Sequence, residues 1–268
     1  MSASLSGRLR DVAVLTHRNL VHIAREPLQL SDVTVQPVLF TMLFVYVFGA
    51  GVALPGGGSY TQFAIAGLLA LNLTTGSMGT AVGLSTDLST GVIDRFRTLP
   101  MWRPAVLVGR SIADLMTALL CTVIVALTGL AIGWRPEAGI ASALAGFGVF
   151  LFFSYAMSWA CACLGVVSKG PESAQGNGLI FLFPLAFVSN SLVPTRHMPE
   201  VLRTIADWNP VSAVTAAARE LFGNPNPSAS IGAWPMQHPV AASLLWSVAI
   251  LAVFAPLATA LYRRRTAD

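Results

Sequence analysis

Six stretches of this chain are long, apolar and nearly free of charge, and that alone leaves few folds open. Hydrocarbon gives main-chain N–H and C=O groups no partner, so a chain of such stretches must satisfy them internally, as helices or a closed barrel. The runs at 33–53, 60–84, 105–134, 138–167, 174–193 and 239–262 each reach or exceed the roughly 20 residues a helix needs to cross a bilayer, and none has the short alternating segments of a barrel strand. Hydrophobic residues make up 54% of the 268, charged residues 10%, and the mean hydropathy is +0.68, which excludes an ordinary soluble domain. The longest interval between runs, 194–239, is too short to bury a core of its own. The expected fold is therefore an all-α membrane protein of six transmembrane helices, one transmembrane domain over 1–268.

The polar intervals carry the next level of information. Residues 5–26 place Leu5, Leu9, Val12, Leu20 and Ile23 on one helical face and Arg10, Asp11, Arg18, His22 and Arg25 on the other. Glu26-Pro27 ends this segment, which suits the headgroup layer, with Arg10, Arg18 and Arg25 towards anionic lipid, or alternatively a partner protein. Between the second and third runs lies a charged island, and its middle, 91–100, reads as a short amphipathic helix from Gly91 to Pro100. Val92, Ile93, Phe96 and Leu99 form its apolar side, while Asp94, Arg95 and Arg97 stay wet. Two readings stand: a helix offered to a soluble partner, or a solvated loop whose arginines fix topology. Two further short amphipathic helices, broken at Asn209-Pro210, are expected in the long interval before the sixth run. They either dip into the bilayer or lie on its surface.

Counting basic residues sets the orientation. Arg8, Arg10, Arg18, Arg25, Arg95, Arg97, Arg103, Arg110, Lys169, Arg263, Arg264 and Arg265 fall on one side, and Arg135, Arg196, Arg203 and Arg219 on the other. The richer side is expected to be cytoplasmic, with both termini there and the protein in the cell (inner) membrane. The same bias accounts for the net charge of +4 without invoking nucleic acid.

Within the runs, the second is polar for its position. Asn72, Thr75, Gly76, Gly79 and Gly83 could form a substrate path or, through the Gly79–Gly83 spacing, a face that packs on another helix or a dimer partner. Arg110 and Asp114, four residues apart, are placed to pair, and Asp114 reads as the one carboxylate at hydrocarbon depth. Pro184 frees main-chain groups in the fifth run, which points to an interior helix. Cys121, Cys161 and Cys163 all sit within apolar runs and read as small hydrophobes; no metal-ligand spacing is evident. A phosphate-binding Gly-x-x-x-x-Gly-Lys-Ser/Thr loop is absent from the sequence, and no hydrolase or zinc motif has its required context.

Three features together resemble the membrane subunits of type-2 ABC exporters, especially daunorubicin-resistance-like permeases of actinobacteria. The order of parts is one: an amphipathic first helix, six spans and a long insert before the sixth. The segment Gly91-Val-Ile-Asp-Arg-Phe-Arg-Thr-Leu-Pro100 is similar to that family's coupling loop, with Asp94 at a position often held by glutamate. Pro194, Met198-Pro199, Asn209-Pro210 and Arg219 resemble the family's series after the fifth span. The resemblance implies a transport subunit that is not an enzyme and binds no cofactor itself. ATP and Mg would be held by a separate nucleotide-binding subunit, which would push on Gly91, Asp94, Arg95, Phe96, Arg97, Leu99 and Pro100. It further implies pairing with a second permease copy or a sister permease, and export of amphipathic drugs, lipids or glycolipids. An ion-gradient-driven secondary transporter or channel working alone is the competing expectation.

Overall fold

The computed structural model describes residues 5–49, 51, 58–91, 105–227 and 232–265, and every regular element among them is helical. Helix α1 (Leu5–Arg25) is followed by α2 (Pro27–Leu43), whose opening proline gives up only an amide that a helix start leaves unbonded. A π-turn, Phe44–Phe48, extends α2. Then come α3 (Tyr60–Gly76), α4 (Met78–Ser89), α5 (Ala105–Ala131) and α6 (Ile140–Val167). After α7 (Pro171–Phe187) and a 3-10 turn, Thr195–His197, the chain forms α8 (Glu200–Trp208), α9 (Pro210–Phe222), α10 (Trp234–Gln237) and α11 (Pro239–Arg265).

Five helical stretches among the described residues are long and apolar enough to cross a membrane: Gln29–Phe48, Tyr60–Ser89, Ala105–Ala131, Ile140–Val167 and Pro239–Arg265. The expected fifth span, 174–193, is not among these five stretches. Helix α7 has 17 residues and ends at Phe187, because Pro184 weakens its last turns and Val188 leaves helical geometry at ψ 64°. Nor is α7 an interior helix: Ile180 is 78% exposed, and Leu179, Phe183 and Phe187 also face outward. The Tyr60–Ser89 stretch is bent rather than straight. Gly76-Ser77 interrupts it, with the Ser77 amide and hydroxyl both donating to the Leu73 carbonyl and the Thr80 amide turning back to Ser77 O at 3.1 Å. Gly-Ser pairs are a recognised cause of such bends.

Packing divides the bundle into two poles. At one, Trp134 stands edge-on to Phe222, centroids 5.2 Å apart, beside Phe147 and Phe150. Trp134 Nε1 donates to Asn224 Oδ1 at 2.7 Å, and Asn224 Nδ2 donates in turn to Gln62 Oε1 and Arg135 O, so no indole or amide polarity is stranded there. The opposite pole gathers Leu15, Leu84, Leu107, Trp159, Val166 and Tyr262. Arg265 closes it by donating to the carbonyls of Val166 and Ser168 at the end of α6, where a cation complements the helix dipole.

Of the two expected short helices after the fifth run, α9 lies inside the bundle against α3, α6 and α11, and α8 lies at its edge. A third short helix, α10, was not expected. Helix α1 packs along α5 through Leu15, and Leu9 on its expected apolar face stays 64% exposed. The cysteines are free and buried.

Candidate functional site

Beside the bend between α3 and α4 lies a cavity of about 470 Å³, within the usual size range of small-ligand sites. Its walls come from α1, α2, the α3–α4 bend, α5, α6 and the start of α7. Polar groups line much of it, and most are already engaged. Arg18 of α1 forms a two-point ion pair with Asp87 of α4, at 2.6 and 3.4 Å. Arg110 of α5 lies 3.2 Å from Asp114 one turn on, and its Nη2 donates to the Gly79 carbonyl at 2.6 Å. Thr80 completes the group, donating its hydroxyl to Asp114 Oδ2 at 2.6 Å. Deeper along their helices, Asn72, Cys121, Ser154 and Ser158 also face the space.

Gly83 explains how Arg110 fits. A Cβ there would collide with the guanidinium, so the missing side chain is the seat for an arginine, not for a neighbouring helix backbone. Gly79 likewise borders open space. Close main-chain contacts in this stretch fall at Gly67, where a Cβ would overlap the Ser191 main chain, and at Ala81, whose main chain lies against Gly165 of α6.

The structure thus brings Arg18, Asn72, Thr75, Gly76, Gly79, Gly83, Arg110 and Asp114 to one cavity. Arg10 and Arg25 are exposed and stand apart from it. Arg18, expected to face anionic lipid, pairs with Asp87 within the protein. Gly91, with φ +70°, is the last described residue of its segment; Asp94, Arg95, Phe96, Arg97, Leu99 and Pro100 lie outside the described residues.

A second cluster forms where α7, α8 and α9 meet. Asn209 caps α9 by accepting from the Val211 amide at 2.8 Å, while its Nδ2 donates to Leu185 O and Val188 O, closing the end of α7. Pro210 occupies the first turn of α9. Pro194 is buried, Met198 half-buried and Pro199 exposed. Arg219 is fully buried: Nε donates to Phe63 O, Nη1 to Asn190 O and Nη2 to Ser191 O, at 3.1, 3.1 and 2.8 Å, with the Phe63 ring 3.6 Å from its Cζ. Main-chain oxygens take the place of a carboxylate counter-ion.

Sequence reasoning missed Asp32 and Gln36, which line the cavity from α2. The first run was started at its first uncharged residue, 33, whereas the helical stretch able to cross begins at Gln29. The signal was present: Gln29, Asp32, Val33 and Gln36 recur at helical spacing and share the cavity face.

A multi-pass helical bundle with a charged, ligand-sized cavity is the construction of a membrane transport protein. Residues 10–222 match the ABC-2 type transporter family, and the chain belongs to it as a membrane permease subunit of an ABC transporter, a family that implies an ABC ATPase and pairing of permeases. It is 35% identical over 257 residues to the daunorubicin resistance ABC transporter permease protein of Streptomyces coeruleorubidus, covering 95% of this chain and 87% of that one. It is 28% identical over 253 residues to a probable doxorubicin resistance ABC transporter permease protein of Mycobacterium tuberculosis, covering 93% and 87%. A putative transport permease of Porphyra purpurea is 24% identical over 220 residues, covering 81% and 75%.

Proposed function

We propose that this chain forms the membrane path of an ATP-driven exporter for amphipathic molecules, drugs of the kind its relatives are named for among them, with lipids and glycolipids as further candidates. The observation that carries this reading is the cavity of about 470 Å³, bordered by charged groups of α1, α4 and α5 and reaching polar residues near the middle of α3 and α6. Cargo enters there from the cytoplasm or the inner leaflet. The pole holding Arg18, Arg110 and Arg263 to Arg265 faces the cytoplasm of the cell membrane, with both termini on that side, as the basic-residue bias requires. Helix α7, with the residues that follow it, completes a sixth crossing with help from the neighbouring α9, which supplies partners for the interrupted main chain.

The work comes from ATP and Mg held by a separate ABC subunit. Its closure bears on Gly91 to Pro100 and on α1, and α1 leads directly into the cavity wall through the Arg18–Asp87 pair. Two permeases, identical or sister chains, complete the path. Co-expression with an ABC ATPase encoded beside the gene tests the reading: the two chains should co-purify, and vesicles should accumulate daunorubicin only with hydrolysable ATP. Replacing Asp94 and Arg97 together by alanine should lower drug-stimulated hydrolysis at least about tenfold. Unchanged hydrolysis in that variant refutes the coupling role, and drug movement without any ATPase refutes the exporter reading.

A further inference from the structure

Helix α4 is packed closely on one side and held by polar bonds on the other. It lies on α6, where Gly165 admits the Ala81 main chain, and on α7, where Gly178 admits the Met78 side chain. Helix α5 packs instead on α1 and α2; Gly109 admits Leu15, and the Thr16 hydroxyl donates to the Gly109 carbonyl at 3.2 Å. The contact between α4 and α5 is smaller, and polar groups hold it. Thr80 donates to Asp114, Arg110 donates to the Gly79 carbonyl, and the guanidinium sits on Gly83.

These groups have second partners within their own helices. Arg110 and Asp114 hold each other one turn apart, so neither charge is stranded when α4 withdraws. Thr74, Thr75, Ser77 and Thr86 each donate to the carbonyl four residues back, whereas Thr80 reaches across to α5; the Gly76 carbonyl is its alternative. The Arg18–Asp87 pair crosses the same boundary nearer the end of α4, with Arg18 part-exposed, so water replaces the pair when it parts. At the other end of this stretch α3 is fixed, by Gly67 against Ser191 and by Arg219 on the Phe63 carbonyl. Between the two lies the Gly76-Ser77 bend, and among the described residues a Cβ at Gly76 or Gly79 would meet nothing within 4 Å. The bend has room to change its angle.

We propose that the α4–α5 boundary is a seam that opens and recloses in each transport cycle, and that Thr80 is the positioning residue that holds it shut. Helix α4 leaves α5, stays on α6 and α7, and turns at Gly76-Ser77. The inference rests on the exporter reading, which puts the two ATPase contacts on opposite sides of the seam. Residues 91–100 continue from α4, and α1 rides on α5. Closure of the ATPase therefore moves one side against the other.

Spin-label distances on the full-length permease in lipid nanodiscs test the seam, with Cys121, Cys161 and Cys163 replaced by alanine and labelled chains diluted with unlabelled ones. One label pair spans the seam, Ser89 of α4 with Met116 of α5; the other stays on one side of it, Ser89 with Glu172 at the start of α7, and all three positions are exposed. Without ATPase or nucleotide, Thr80→Val should lengthen the Ser89–Met116 distance by about 5 Å or add a longer population of that size, while Thr80→Ser should match the parent. The Ser89–Glu172 distance should hold within about 2 Å throughout. An unchanged Ser89–Met116 distance in folded Thr80→Val protein, or an equal shift in both pairs, overturns the seam. Should Thr80→Val fail to fold, the parent complex with the ATPase decides: identical Ser89–Met116 distances with and without ATP and vanadate overturn it. ATP-dependent drug accumulation, measured separately, reports on the exporter reading, and the measurement without ATPase stands whichever way that falls.

Discussion

Arg219 shows how much one side chain can carry in this bundle. Its fork reaches three carbonyls in different directions, a geometry that a single ammonium cannot reproduce. Arg219→Lys keeps the charge and leaves at least one buried carbonyl unmet, so a loss of about 2–4 kcal/mol is expected, read as a clear fall in unfolding temperature in detergent. Asp207, on α8 outside the crossing stretches, offers a test by pH. Burial raises its pKa above the ordinary 3.8, against the opposing influence of the Thr195 hydroxyl, which donates to it at 3.0 Å, and of Arg203. The folded protein therefore holds this proton more tightly than the unfolded chain does. Its contribution to stability is greatest below 3.8 and declines as pH rises from there through the folded-state value. Asp207→Asn should flatten that part of the stability profile and leave the neutral-pH protein as stable or slightly more so, as thermal unfolding across the acid range would show.

At the scale of elements, the Asn209-Pro210 dipeptide joins two helix ends. One side chain starts α9 and closes α7, so its loss frees an N-terminal amide and two C-terminal carbonyls at once. Asn209→Ala should cost about 2 kcal/mol, more than an ordinary cap, and should speed proteolysis around 188–194 before the rest of the protein opens. The α3–α4 bend teaches a related lesson. The sequence offered this stretch as a substrate path or, through the Gly79–Gly83 spacing, as a packing face; Gly76, Gly79 and Gly83 border the cavity, while close packing falls on Gly67 and on Ala81 against Gly165. Spacing alone does not say whether a glycine accommodates a backbone, an arginine or open space.

For the whole molecule, the membrane class, the family and most crossing helices were legible, because composition and run length dominate anything a local contact can alter. The end of α7 was not, since a proline within an apolar run can either kink a helix or finish it, and the choice here depends on Asn209, more than twenty residues later. Asp32 escaped notice because a charge at the margin of a run looks like its boundary, and only the fold shows that the helix starts earlier. An arginine near a short helix's end likewise reads as surface until two distant strings of main chain, at Phe63 and at Asn190-Ser191, are seen around it. That last arrangement has a genetic consequence. The oxygens gripping Arg219 are peptide oxygens, present whatever residue occupies 63, 190 or 191. Missense change at those acceptor positions leaves the oxygens in place, whereas one altered codon at 219 removes every donor together.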